Sequence, residues 1–71
     1  DLSPKDYILA YRLHEARRRF WDVESKTLTI AEIAMGCGFT HMGRFSRRYR
    51  QHYGRLPSED RITGANGIAY N

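Results

Sequence analysis

Arg44, Arg47, Arg48 and Arg50 crowd into one short stretch, Gln51 follows directly, and Arg55 lies one turn further on. Between residues 33 and 58 these five arginines are the only charged side chains, so the stretch carries +5. Residues 1–32 hold six basic and six acidic side chains and cancel, while residues 59–71 hold Glu59, Asp60 and Arg61 and sum to −1. The formal surplus of +4, with a pI of about 9.6, therefore sits in one acid-free segment. A guanidinium is a planar fork of donors that fits phosphate oxygens and the O6/N7 edge of guanine. An acid-free run of such groups is either a solvated basic face or a contact for a polyanion, and nucleic acid suits its geometry best.

Other chemistries find little support. His14, His41 and His52 have no metal-ligand spacing with one another or with Cys37, so no metal is expected. A lone cysteine excludes an internal disulfide, and Cys37 reads as a small apolar side chain packed under a turn. Ser46 lies between His41 and His52 in sequence, but on a helical wheel neither imidazole points at its hydroxyl. No glycine loop of nucleotide-binding form occurs, so neither enzyme activity nor a cofactor is expected. No apolar run approaches the roughly 20 residues that span a bilayer. The chain has 71 residues, 41% hydrophobic and 28% charged, a balance that suits one small globular domain with a thin core. It begins Asp1-Leu2 and reads as a piece of a longer, cytoplasmic protein.

Three helices are needed to position the arginines. Ser3 can cap the first, Pro4 suits its first position and Asp6 favours its positive end, and the helix is expected over 4–22. Leu9, Leu13, Ala16 and Phe20 draw its buried stripe, Trp21 reads as a core anchor, and Tyr7 and Tyr11 lie off the stripe. Arg17, Arg18 and Arg19 could reach a polyanion, but Glu15 and Asp22 stand close by. Asp22 to Thr27 reads as a loop. Thr29 followed by Glu32 is a capping-box pattern ahead of a short helix over 29–37, whose apolar face is Ile30, Ile33 and Ala34. Gly38-Phe39 reads as a tight turn, with Phe39 folding back to the core.

The third helix is expected over 41–53, stopped by Gly54 in the left-handed region. At about 100° per residue, Phe45, Tyr49 and Tyr53 share one side with Met42 at its edge. Arg44, Arg47 and Gln51 fall opposite, flanked by Arg48 and Arg50. A further short helix is expected at 57–61, and the uncharged residues 62–71 read as a flexible tail. The expected fold is all-α: a three- to four-helix, homeodomain-like helix-turn-helix bundle, with Ala34 letting two helices cross closely and Gly38 permitting the reversal.

Arg12-Leu13-x-x-Ala16, Ile30-x-x-Ile33-Ala34-x-x-x-Gly38-Phe39, Phe45-Ser46-Arg47-x-Tyr49 and Tyr53-Gly54-x-x-Pro57-Ser58 follow one another in order. From about Pro4 to Arg61 the chain resembles the AraC/XylS family of bacterial transcription regulators. The resemblance implies the second of two helix-turn-helix units, preceded by the linker helix. The first unit and any effector-binding or dimerisation domain would lie elsewhere in the parent chain, and Tyr7 and Tyr11 would face that first unit. It also implies base reading early in the third helix, at Met42, Gly43, Arg44 and Arg47, with His41 beside them.

Gly43 has no side chain to read a base and can only admit close approach, and Met42 leans to the core. Asp60 stands where family members often carry an aromatic, which leaves the packing of the last turn open. On this reading Arg44 and Arg47 bind guanine and Gln51 suits adenine. Arg48, Arg50, Ser46, Thr29 and Thr40 are expected to meet phosphates. The implied partner is double-stranded DNA, read in its major groove. Two alternatives remain open: the same fold used mainly for protein contact, as with RNA polymerase, or a basic helical module for RNA or an acidic partner.

Overall fold

A short, mixed chain must combine a few amphipathic helices around one core, because single helices of this length are marginal in water. The structure, a computed structural model, describes residues 3–61. Three α-helices form: α1 at Pro4–Phe20, α2 at Ile30–Gly36 and α3 at Met42–Tyr53, with a 3-10 turn at Val23–Ser25 and helical residues at 57–61. No strand occurs among the described residues, and the all-helical fold class is the expected one. The expectation for residues 62–71 lies outside the described residues.

Each helix end has a local cause. Ser3 accepts from the Asp6 amide at the start of α1, and Pro4 fills the first turn, where its missing N–H leaves nothing unsatisfied. α1 stops at Phe20, two residues before the expected end at 22, because Asp22 turns its carboxylate to cap the 3-10 turn. α2 has a complete capping box: Thr29 Oγ1 accepts from the Glu32 amide at 3.0 Å, and Glu32 Oε1 accepts from the Thr29 amide at 2.8 Å. That hydrogen bond holds the Glu32 carboxyl below its ordinary value. Between α2 and α3, Gly38 takes φ +99°, where any other residue would be strained. The amides of Cys37 and Phe39 both return to the Ala34 carbonyl, which closes the turn. His41 Nδ1 accepts from the Arg44 amide at 3.2 Å and caps α3, and Gly54 ends it at φ +74°.

The core joins Leu13, Ala16 and Phe20 of α1 with Ile33 and Ala34 of α2, Cys37, and Phe45 and Tyr49 of α3. Burial raises the Cys37 thiol above its ordinary value. Rings run through the core as a ladder. Phe39 lies 4.7 Å from Phe45, Phe45 lies 5.7 Å from Tyr49, and Tyr49 lies 4.7 Å from Tyr53, with Phe20 at 5.7 Å from Tyr49. Fully burying each such side chain contributes about 1.5–3 kcal/mol. Leu9, Phe39, Met42 and Tyr53 are half-buried at the rim. Trp21 corrects an expectation: it is 42% exposed and is no core anchor. Its indole instead lies over the Arg17 guanidinium, 4.5 Å away, and its Nε1 donates to the Asp60 carbonyl at 3.2 Å.

Candidate nucleic-acid interface

The apolar side of α3 fixes which way its polar side faces. Phe45 and Tyr49 are fully buried, so Arg44, Arg47, Arg48, Arg50 and Gln51 stand exposed on the rest of the helix. Ser46, Arg47, Arg50, Gln51 and Leu56 border one shallow hollow, while Arg44 and Arg48 border another that is shared with α1. The arginine ridge thus has two flanks, with Arg48 on the α1 side and Arg50 on the Leu56 side.

The structure separates the arginines into two sets. Arg17, Arg18, Arg19, Arg55 and Arg61 have internal partners. Arg18 meets Glu15 at 2.6 Å and Arg19 meets it at 3.6 Å, and the Arg18 contact holds the Glu15 carboxyl below its ordinary value. Arg61 donates to the carbonyls of Phe20, Ser25 and Leu28, tying the 57–61 turn to the loop after α1. Arg17 lies between the Trp21 and Tyr53 rings, 4.5 Å from each centroid. By contrast, Arg12, Arg44, Arg47, Arg48 and Arg50 form no side-chain hydrogen bond or ion pair among the described residues.

Asp60 holds two of the paired arginines, Arg17 and Arg55, a role that sequence reasoning missed. Its side chain is almost wholly buried, with the residue 1% exposed. Oδ2 accepts from the Tyr49 hydroxyl at 2.6 Å and lies 3.6 Å from Arg17 Nε, and Oδ1 meets Arg55 Nε at 2.8 Å. Burial first, then the hydrogen bond to this carboxylate, pushes the Tyr49 hydroxyl far above its ordinary value, and burial also raises that of Tyr53. Asp60 therefore packs the last turn against α3 where the resemblance left that packing open. The available signal was Tyr49 itself: a phenol on a buried stripe needs an acceptor. Pairing with Asp60 also takes Arg55 out of the outward-facing charge.

The expected site residues fall in different surroundings. Arg44, Arg47, Gln51, Arg48, Arg50 and the half-buried Ser46 share the outer side of α3, and Gly43 is exposed in its first turn. His41 has one ring nitrogen committed to capping, which leaves Nε2 for a ligand. Met42 is half-buried against the core. Thr40 is exposed just before α3, whereas Thr29 lies at the far end of α2 with its hydroxyl already in the capping box. Among the described residues no cluster of side chains could hold a metal ion, and no helix is long and apolar enough to cross a membrane.

A family described as a helix-turn-helix domain matches residues 1–62. The chain is 40% identical over 57 residues to the XylDLEGF operon transcriptional activator of Pseudomonas putida, covering 80% of this chain and 18% of that protein. The chain belongs to the AraC/XylS family of transcription regulators. It is also 34% identical over 67 residues to the HTH-type transcriptional regulator ArgR of Pseudomonas aeruginosa, covering 94% of this chain and 20% of that protein. A further relative is the probable thc operon regulatory protein of Rhodococcus erythropolis, 34% identical over 58 residues, covering 82% and 18%. The chain thus spans about a fifth of these relatives' length. No solved structure matches it. The family is one of transcription regulators and not of enzymes.

Proposed function

We propose that this chain is a sequence-reading module for double-stranded DNA within a cytoplasmic transcription regulator, with α3 laid in the major groove. The observation that carries this reading is the two-sidedness of α3. One side is sealed by Phe45 and Tyr49, and the other presents arginines that have no hydrogen-bond or ion-pair partner among the described residues. A groove about 12 Å wide admits such a helix, and forked donors on its outer side meet base edges. Arg44 and Arg47 read guanine through O6 and N7, and Gln51 suits adenine. His41 offers Nε2, Met42 reaches a thymine methyl only from the helix edge, and Gly43 lets the backbone come close. Arg48 and Arg50, on the two flanks, meet phosphates on opposite walls of the groove, with Thr40, Ser46 and Thr29 as lesser polar contacts. The relatives' names support the regulatory role, and the Pseudomonas putida relative is named as an activator.

The test compares two arginines. Arg47→Ala is expected to lose about 1–3 kcal/mol on the preferred duplex and to relax preference at one base pair, whereas Arg50→Ala weakens binding to every duplex alike. The readout is a base-preference profile from selection out of a randomised duplex pool. An unchanged profile for Arg47→Ala overturns its assigned role.

A further inference from the structure

We infer that α1 carries a second contact for the DNA backbone, formed by Arg12 and Lys5 beside Arg48; the inference rests on the duplex reading above. The N-terminal half of α1 and the start of α3 border one groove, and Lys5, Arg12, Arg44 and Arg48 all line it together with Thr40, with Asp6 the one carboxylate among its described lining residues. Four cations around one acid attract an anion rather than a neutral ligand. Arg12 is the α1 arginine that makes no ion pair or side-chain hydrogen bond among the described residues, although Arg17, Arg18 and Arg19 of the same helix all do.

Arg12 also lies close to the turn. A Cβ added at Gly38 would lie 3.2 Å from its Cζ and Nε, so the side chain lies against the turn glycine. Gly38 therefore serves twice, through its φ of +99° and through the room it leaves for Arg12. With α3 in the major groove, a strand of the backbone runs along each flank. The strand met by Arg48 passes the mouth of this groove, where Arg12 and Lys5 stand. Phosphate is the group on that strand which matches both a guanidinium and an ammonium.

The experiment measures affinity against salt concentration for the chain and its Lys5→Gln/Arg12→Gln variant, on a duplex recovered by selection and on a random-sequence duplex. Each lost phosphate contact lowers the slope of log affinity against log salt by roughly 0.9, so the double variant is expected to lose about 1.8. Its base-preference profile should stay as it was, and Arg12→Lys should restore most of the slope. If Arg12→Gln lowers the melting temperature, Lys5→Gln alone, on an exposed position, should still lose about 0.9. A folded double variant with the parent's slope overturns the α1 contact. If Arg47→Ala in the same series still changes base preference, only the α1 contact has failed. If the parent binds no duplex even at low salt, the duplex reading has failed and the α1 contact with it.

Discussion

A buried phenol without an acceptor costs roughly 1–3 kcal/mol, and at Tyr49 that acceptor is a single carboxylate 2.6 Å away. Asp60→Ala is therefore expected to destabilise the fold by roughly 1.5–3 kcal/mol, read from the urea midpoint, because it leaves the Tyr49 hydroxyl unpaired and removes the acid facing Arg17 and Arg55. Arg55→Ala should cost less, under about 1 kcal/mol, since its side chain is 45% exposed and water screens the pair. Gly43 makes the opposite prediction. A Cβ there would meet only the His41 ring, at 3.5 Å, so Gly43→Ala should raise stability by about 0.5–1 kcal/mol in a thermal melt. If the backbone approaches DNA closely at that position, the same substitution should weaken duplex binding while the fold gains. The outward-facing arginines of α3 were legible as a set because helical periodicity is local. The Tyr49–Asp60 pair was not, because it joins two different elements and depends on how the last turn folds back.

At the level of elements, the ends carry most of the local specification. α2 is only seven residues long, too short to hold on propensity, so its capping box matters more than it would in a longer helix. Thr29→Ala is expected to cost about 1 kcal/mol, measured by chemical denaturation. Because the folded state holds Glu32 below its ordinary value of 4.5, the hydrogen bond that its carboxylate accepts from the Thr29 amide contributes in full above the ordinary value and is lost as pH falls through the lowered one. The stability of the parent should therefore fall faster than that of Glu32→Gln between roughly pH 5 and pH 3. The capping box, the Gly38 turn and the Gly54 stop could all be read from residue types at fixed offsets. The end of α1 could not, because Asp22 caps the following turn and Trp21 takes its place from Arg17 and the Asp60 carbonyl, contacts that sequence spacing does not encode.

Across the whole molecule, the division of arginines decides what the charge means. The acid-free stretch counts five arginines, but Arg55 turns back to Asp60, leaving Arg44, Arg47, Arg48 and Arg50 outward. Arg12 joins them across the α1 groove, although its own helix is charge-balanced in sequence. Net charge per segment located the face, and only tertiary contacts could separate structural from available cations. The claim beneath all of this is that the outer side of α3 meets a duplex. Backbone amide spectra of the labelled chain, recorded while duplex DNA is added at low ionic strength, test it most directly. The account predicts the largest shifts across residues 41–51, with smaller ones near Lys5 and Arg12. Shifts confined to residues outside 41–51 and away from Lys5 and Arg12, such as those around Val23 and Lys26, or no shifts at all, would contradict it.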